Sequence, residues 1–262
     1  MDDILLDVAD GIATITLNRP ATYNAQTPAM WERLRAIGAE LPHAVRVVVV
    51  RGAGKGFSAG LDTAALRGEP LPGGVSLPEL ATLPAARADA IIAGYQAAFG
   101  WLRRPDIVSV AAVAGHAVGA GFQLALACDM RVLADDARFA MAETTLGLVP
   151  DLGGTRRLVE LVGYSRAVEI CLTGRRVDAA EADRIGLATL VVPGAELDGA
   201  VRDLAAAVLA APPGAVAETK ALLSAAALRD FTAQEAAERA AQLRRLAELT
   251  GSRATPDPAP GT

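Results

Sequence analysis

A glycine-rich segment in the middle of the chain constrains the fold more than any other feature. Residues Ala114–Gly121 read Ala-Gly-His-Ala-Val-Gly-Ala-Gly and lie within Ile107–Cys128, a stretch with no formally charged residue. Its first half is rich in β-branched residues and its second half in Ala and Leu. A membrane span is the alternative, but the glycines and the change of composition favour a buried strand, a tight loop and a buried helix.

A second glycine-rich segment, Phe57–Asp62 (Phe-Ser-Ala-Gly-Leu-Asp), also follows an apolar run, Val45–Val50. Glycine lets backbone N–H groups approach a ligand closely. Two N–H groups from separate loops can form an oxyanion hole, which stabilises a carbonyl oxygen as it gains charge. A carboxylate held nearby, such as Glu143, can move protons. The pattern therefore predicts an active site where the two segments meet.

Composition narrows the class of protein. The chain has 262 residues, of which 52% are hydrophobic and 21% charged, so a sizeable core is expected. A net charge of −5 without a basic run argues against nucleic acid or an anionic membrane as partner. The N-terminus lacks the basic region of a signal peptide, and Cys128 and Cys171 are expected to be buried, reduced thiols, so we predict a cytoplasmic protein. His43 and His116 are the only histidines, and no spacing predicts a metal site.

Strand and helix patterns alternate along most of the chain and then give way to helices alone. This order predicts an α/β core over residues 1–195, a helical region over 196–250 and a disordered, proline-rich tail over 251–262. Helix caps are predicted at Thr27–Pro28, at Asp178 with Glu181, and at Thr232 with Glu235. The segment Thr63–Leu83, rich in Gly and Pro, is either a mobile lid near the site or a solvated insertion.

Several motifs, taken in order and at their spacing, resemble the crotonase superfamily, the enoyl-CoA hydratase/isomerase family. The resemblance implies a spiral of ββα units followed by C-terminal helices that make trimer contacts, hence a homotrimer or a dimer of trimers. It also implies an acyl-CoA thioester as ligand, as in fatty acid metabolism, and no cofactor beyond the coenzyme A of the substrate. The matching residues are Leu17–Pro20, Asn24–Ala25, Phe57–Asp62, Ala114–Gly121, Cys128–Asp129, Glu143, Gly147, Pro150, Gly153–Thr155, Arg157–Leu158, Leu172–Gly174, Ala182 and Gly186–Leu187.

The resemblance also assigns roles to residues of this chain. By motif position, the N–H groups that grip the thioester oxygen fall on Ala59 and Ala120. The two glutamates of the hydratases fall on Gln123 and Glu143. The residues expected to contact substrate are Ala21, Tyr23, Ser58, Gly60, Leu61, Asp62 and Gly119.

Two departures from the hydratase pattern bear on the reaction. Gln123 cannot take up a proton at neutral pH, so Glu143 is left to shuttle a proton between two carbons, as in relatives that isomerise 3-enoyl-CoA to 2-enoyl-CoA. Asp151 occupies a position where some isomerases of the family carry aspartate, and it could share acid and base roles with Glu143. We therefore favour C=C isomerisation over syn-hydration of trans-2-enoyl-CoA. A non-catalytic acyl-CoA-binding protein, thioester hydrolysis and decarboxylation remain as alternatives.

Each candidate residue also has a purely structural interpretation. Asp151 could cap the helix that begins near Gly154. Gln123 could be a buried amide with satisfied hydrogen bonds, and His116 could simply pack beside its loop. Arg19 and Lys55 could meet the phosphates of CoA, or they could be ordinary surface cations.

Overall fold

A computed structural model describes residues 2–69 and 71–251. Its strands are β1 (Ile4–Ala9), β2 (Ile12–Leu17), β3 (Val47–Gly52), β4 (Val108–Val113), β5 (His116–Val118), β6 (Met130–Ala134), β7 (Arg138–Ala140), β8 (Val177–Asp178) and β9 (Leu190–Val192). Its α-helices are α1 (Pro28–Glu40), α2 (Leu77–Thr82), α3 (Ala85–Gly100), α4 (Ala120–Ala127), α5 (Gly154–Val162), α6 (Tyr164–Thr173), α7 (Ala179–Arg184), α8 (Leu197–Ala210), α9 (Pro213–Ala226) and α10 (Phe231–Leu249). Short 3₁₀ helices cover Pro20–Thr22, Thr63–Ala65, Trp101–Arg103, Glu143–Leu146 and Gly194–Glu196.

The larger sheet has six strands in the order β1-β2-β3-β4-β6-β9. The hairpin at Asp10–Gly11 makes β1 antiparallel to β2, and every other neighbouring pair is parallel. A smaller sheet, in the order β5-β7-β8, lies beside it. The α/β core and the helices that follow it are as the sequence predicts.

The central strands are buried on both faces, as expected when helices cover both sides of a parallel sheet. Side chains of β3 alternate between two cores because successive residues of a strand point to opposite faces. Val48 and Val50 join the larger core, which includes α1 and α4. Val47 and Val49 join a smaller core against α8. Helix α8, the first of the C-terminal helices, thus covers the face of the sheet opposite to the larger core.

Two of the three predicted caps are present. The Thr27 hydroxyl accepts a hydrogen bond from the Met30 N–H, and Asp178 accepts one from the Glu181 N–H at 2.8 Å. The cap predicted at Thr232 is wrong. Helix α10 begins earlier, because the carboxylate of Asp230 accepts from the Ala233 N–H at 2.7 Å.

The segment Thr63–Leu83 is more ordered than the composition predicts. It contains a 3₁₀ turn and the helix α2, which is capped by Ser76. Its middle is fastened to the start of α1, where the Ala29 N–H donates to the Pro72 carbonyl oxygen at 2.9 Å. A Cβ atom at Gly73 would lie 2.8 Å from Ala29 Cα, so glycine allows this contact. The segment is therefore held against α1 in this structure, and its role as a lid or a solvated insertion stays a prediction.

The uncharged stretch 107–128 is the predicted strand, loop and helix, with β5 inside the loop. Across the described residues no single helix is long and apolar enough to cross a membrane. The pair Gly194–Ala210 and Pro213–Ala226, bent by 105°, passes that test only when taken together. Cys128 is fully buried, and burial raises the pKa of its thiol to about 12. Cys171 is only partly buried, and neither cysteine forms a disulfide. The tail predicted to be disordered lies outside the described residues, apart from Gly251.

Candidate active site

The two glycine-rich segments meet, as the sequence predicts, and they are joined by backbone hydrogen bonds. The Ser58 N–H donates to the His116 carbonyl oxygen, and the Val118 N–H donates to the Ser58 carbonyl oxygen, both at 2.9 Å. Glycine is required for the approach. A Cβ atom at Gly60 would lie 2.6 Å from the Val118 carbonyl oxygen, and one at Gly121 would lie 2.6 Å from the Ser58 carbonyl oxygen.

Ala120 presents an N–H group at this junction. It is the first residue of α4, and the first N–H groups of a helix have no acceptor inside the helix. The ideal Cβ position of Gly60 lies 3.4 Å from the Ala120 nitrogen, so the other segment runs directly beside it. The Ala120 N–H therefore lies at the junction of the two segments, and its role as an oxyanion donor stays a prediction.

The other predicted donor, Ala59, is corrected by the structure. Its N–H donates to the Tyr23 carbonyl oxygen at 2.9 Å and is not free for a ligand. Two residues later, the Leu61 N–H has no acceptor among the residues described. The backbone on either side of it is fixed, because the Gly60 carbonyl accepts from the Gln26 N–H and the Asp62 N–H donates to the Gln26 carbonyl. The free N–H of this loop is therefore that of Leu61, which the sequence assigns only to substrate contact, and not that of Ala59.

Glu143 lies at the same junction. It begins a 3₁₀ helix shortly after β7, and β7 pairs with β5 of the second glycine-rich segment. Gly119 has φ +50°, a conformation that favours glycine, and a Cβ atom there would lie 3.4 Å from Glu143 Oε1. The carboxylate is therefore next to the residue that precedes Ala120.

Gln123 lies behind Glu143 and is almost completely buried. Its Nε2 donates to Glu143 Oε1 at 2.7 Å. Its Oε1 accepts from the Leu152 N–H at 2.8 Å and from the Gly154 N–H at 3.3 Å. The N-cap residue of α5 provides no side-chain cap. The backbone N–H groups at the start of this helix are instead satisfied by the Gln123 amide, and not by Asp151. The capping role considered for Asp151 is wrong, and Gln123 has the satisfied hydrogen bonds of a buried amide.

The surroundings of Glu143 favour its neutral form. Burial raises the pKa of Glu143, and the negative charge of Asp151 raises it further, although the Gln123 donor acts in the opposite direction. Its Oε2 atom is buried and has no hydrogen-bond partner among the described residues. A carboxyl group with a raised pKa and one unpartnered oxygen has the properties expected of a group that exchanges protons.

Asp151 is the second carboxylate of the site. Asp151 is exposed as a residue, but protein atoms pack around its carboxylate, and this partial burial raises the pKa of the carboxyl. Its position is held through the backbone, because Gln96 Nε2 donates to the Asp151 carbonyl oxygen at 2.6 Å. Gln96 lies on α3, and nothing in the sequence pattern singles it out.

The remaining predicted residues divide into exposed and structural ones. Ala21 and Tyr23 are exposed and accessible to a ligand. Ser58 is fully buried, and its hydroxyl bonds to Asn24 and Gln26. Asp62 caps the 3₁₀ turn that follows it, and its side chain therefore supports the loop.

The Arg19 guanidinium is bonded within the protein. It bonds to the Ala25 carbonyl and forms an ion pair with Asp62 at 2.9 Å. Burial opposes ionisation of Asp62, but the Ala64 N–H and Arg19 outweigh it and lower the pKa of that carboxyl. His116 packs against Gly56 and meets the Tyr23 ring edge-on at 5.3 Å, as the structural interpretation predicts. Asn24, a motif residue to which the sequence assigns no role, and Gln26, which sequence reasoning missed, hold the first loop together from inside.

Comparison with known proteins identifies the family and the fold. The sequence model of the enoyl-CoA hydratase/isomerase family matches residues 7–252. A crystal structure from Thermobifida fusca in complex with CoA has a TM-score of 0.91 and 50% identity, covering 95% of each chain. Another from that organism, in complex with acetoacetyl-CoA, has a TM-score of 0.90 and 52% identity, covering 94% of this chain and 95% of that one.

A relative in Clostridium acetobutylicum, named short-chain-enoyl-CoA hydratase, is 30% identical over 223 residues, which are 84% of this chain and 80% of the relative. These matches confirm the predicted fold class, a crotonase-like α/β core with a helical C-terminal region. The chain belongs to the enoyl-CoA hydratase/isomerase family.

Proposed function

We propose that the protein isomerises the C=C bond of an enoyl-CoA by moving one proton between two carbons. The observation that carries this proposal is the pairing of Glu143 with an amide. Glu143 has one unpartnered oxygen, whereas Gln123, in the place of a second glutamate, is bonded at both ends within the protein. One carboxylate can both remove and return a proton. Hydration divides acid and base roles between two groups, and an amide has neither an acid nor a base form at neutral pH, so Gln123 favours isomerisation.

The proposed reaction begins with a 3-enoyl-CoA. The Glu143 carboxylate takes a proton from C2, and the electron pair moves into a dienolate whose thioester oxygen receives the hydrogen bonds of Leu61 and Ala120. The carboxyl group exchanges its proton with solvent and then delivers a proton to C4, which leaves the double bond between C2 and C3. Each oxyanion donor is expected to contribute a factor of about 10²–10³ to kcat. No cofactor takes part beyond the coenzyme A of the substrate.

Syn-hydration of trans-2-enoyl-CoA is the second candidate function. The family position of Asp151 favours isomerisation, but the presence of two carboxyls, Glu143 and Asp151, in one site also fits hydration. The Asp151 charge acts on Glu143, and the pKa of both carboxyls is raised by burial. Two such groups could divide the acid and base roles on a water molecule. The name of the Clostridium relative also points to hydration.

Mass spectrometry in heavy water tests both functions. The protein is incubated with a 3-enoyl-CoA and, separately, with a trans-2-enoyl-CoA. Deuterium bound to carbon without a gain of water supports isomerisation, whereas addition of one heavy water to the trans-2-enoyl-CoA supports hydration and contradicts our first choice. Release of free CoA or carbon dioxide would indicate hydrolysis or decarboxylation. If calorimetry shows that the thioester binds but no isotope exchange occurs, the result supports a non-catalytic acyl-CoA-binding protein.

We also propose that the chain assembles as a homotrimer or a dimer of trimers through its C-terminal helices. Large apolar side chains lie exposed on this region: Leu223 on α9, Leu228, and Phe231, Leu243, Leu246 and Leu249 on α10. Exposed apolar surface of this kind is typical of a protein–protein interface.

A further inference from the structure

Gln123 has an unusual environment for a polar side chain. It is the only polar side chain of α4, whose eight residues are all buried. A buried amide is costly unless its hydrogen bonds are made. Its Oε1 atom receives two backbone N–H groups, from Leu152 and Gly154. A Cβ atom at Gly154 would lie 2.7 Å from Gln123 Cγ, so the glycine is what allows the start of α5 to come this close.

These contacts fix which end of the amide faces Glu143. If the amide were turned over, its NH₂ group would face two N–H donors and its oxygen would face a carboxylate, and all three hydrogen bonds would be lost. The observed orientation makes all three and presents an N–H to Glu143 Oε1 at 2.7 Å. The backbone of Leu152–Gly154 therefore determines that Gln123 is a donor towards Glu143.

We infer that Gln123 is a positioning residue. Its Nε2 atom holds the Oε1 atom of Glu143, so that the Oε2 atom of Glu143 is the oxygen that transfers the proton. A hydrogen bond reduces the basicity of the oxygen that accepts it, so the buried and unpartnered Oε2 is the more basic of the two. The same amide fixes the segment directly after Asp151 and thereby holds the two carboxylates of the site in one arrangement. This inference rests on the proposed role of Glu143 as the proton carrier.

Gln123 also adjusts how easily Glu143 ionises. A donor favours the charged form of a carboxyl, whereas burial and the neighbouring Asp151 favour the neutral form. Removing the donor while leaving the rest of the site in place should make Glu143 harder to ionise. A side chain that only filled space would have no such effect.

The test is a carbon-13 NMR titration of the glutamate carboxyls, with the Glu143 signal assigned by its loss in Glu143→Gln. Gln123→Met keeps the length of the side chain but removes both the donor to Glu143 and the oxygen that accepts from Leu152 and Gly154. In this variant we expect the pKa of Glu143 to rise by about one unit or more. In Gln123→Glu, the new carboxylate still accepts from Leu152 and Gly154, but its other oxygen faces Glu143. We expect this pair to share a proton and to titrate in two separated steps.

Gln26→Met is the matched control, because Gln26 is also fully buried with both ends of its amide bonded, to Ser58 and Trp31. It should leave the Glu143 titration unchanged. An unchanged Glu143 pKa in Gln123→Met would overturn the inference. If that variant does not fold, a single unshifted step in Gln123→Glu would overturn it equally. The titration does not require turnover. If the wild-type protein shows no isotope exchange, the proposed function is contradicted, but the titration still tests the positioning role of Gln123.

Discussion

Glu143 combines two properties that oppose each other at the scale of a single residue. It is largely enclosed by protein, which favours the neutral form, and its proposed role requires the charged form. One oxygen of Glu143 accepts from an amide donor, which favours the charged form, and the other oxygen is buried and has no hydrogen-bond partner among the described residues. Proton transfer through such a group contributes a factor of about 10²–10⁴ to the rate.

Glu143→Gln should therefore lower kcat for isotope exchange by about 10²–10⁴-fold, because glutamine cannot carry a proton at neutral pH. Binding of the thioester should persist, since the Leu61 and Ala120 N–H groups are unchanged, and calorimetry would measure it. Glu32→Gln is the control, because Glu32 is exposed on α1 and paired with Arg35. Full activity in Glu143→Gln would remove Glu143 from the mechanism.

The raised pKa of Glu143 also predicts a pH dependence of stability. A carboxyl whose pKa is higher in the folded than in the unfolded protein loses stability as pH rises from the unfolded value through the folded one. At neutral pH the charge on Glu143 thus lowers the free energy of unfolding. Glu143→Gln should be more stable than wild type at pH 7, and the difference should shrink below the ordinary pKa of glutamate, about 4.3. Urea unfolding of both proteins across this range measures it, and a constant difference would contradict the prediction.

Ala59 marks the limit of what the sequence could predict at this scale. The Phe57–Asp62 segment identifies a loop that carries an oxyanion donor, and motif position assigns the donor to Ala59. Which N–H is free depends on the partners of each peptide group, and the Ala59 N–H is taken by the Tyr23 carbonyl, 36 positions earlier in the sequence. Residue types alone do not contain that pairing.

At the scale of elements, the site depends on how closely two loops approach. Gly121→Ala places a Cβ atom 2.6 Å from the Ser58 carbonyl oxygen, a backbone atom that cannot turn aside. We expect a loss of about 1–3 kcal/mol in the free energy of unfolding, and a lower kcat because the Leu61 and Ala120 donors are pushed apart. Urea unfolding and isotope exchange measure the two effects.

Gly94→Ala is the control for this substitution, because Gly94 lies inside α3 with no atom within 4 Å of the new Cβ. Alanine in a helix interior should stabilise the protein by about 0.5–1 kcal/mol. Equal stability changes in Gly121→Ala and Gly94→Ala would show that the close approach of the loops is not under strain.

Strands and helices could be predicted from the sequence where a single local feature, such as a change of composition or a helix cap, determines them. The change from β-branched residues to Ala and Leu within 107–128 predicts β4 and α4, and the Thr27–Pro28 cap predicts the start of α1. Helix α2 was missed because the surrounding Gly and Pro residues outweigh its short pattern. The start of α10 was misplaced because Asp230 and Thr232 are both good caps, and the structure uses the one further upstream.

At the scale of the whole molecule, the described chain leaves apolar surface without cover. Helices α9 and α10 border a groove of about 630 Å³, and Leu222, Ala241 and Leu243 are among the residues that line it. Leu223, Phe231 and Leu249 are each more than 70% exposed, which is unusual for side chains of this size. Composition could not predict where this surface lies, because it depends on which faces of the helices remain after packing.

If these helices join copies of the chain, charge on their exposed face should separate the copies. The double variant Leu223→Glu with Phe231→Glu should lower the mass measured by light scattering towards that of one chain, 26.9 kDa. A charged side chain cannot be buried in an apolar interface without a partner. Val8→Glu, an exposed apolar position on β1, should leave the mass unchanged. A wild-type protein that is already monomeric, or a double variant with the mass of the wild type, would contradict assembly through α9 and α10.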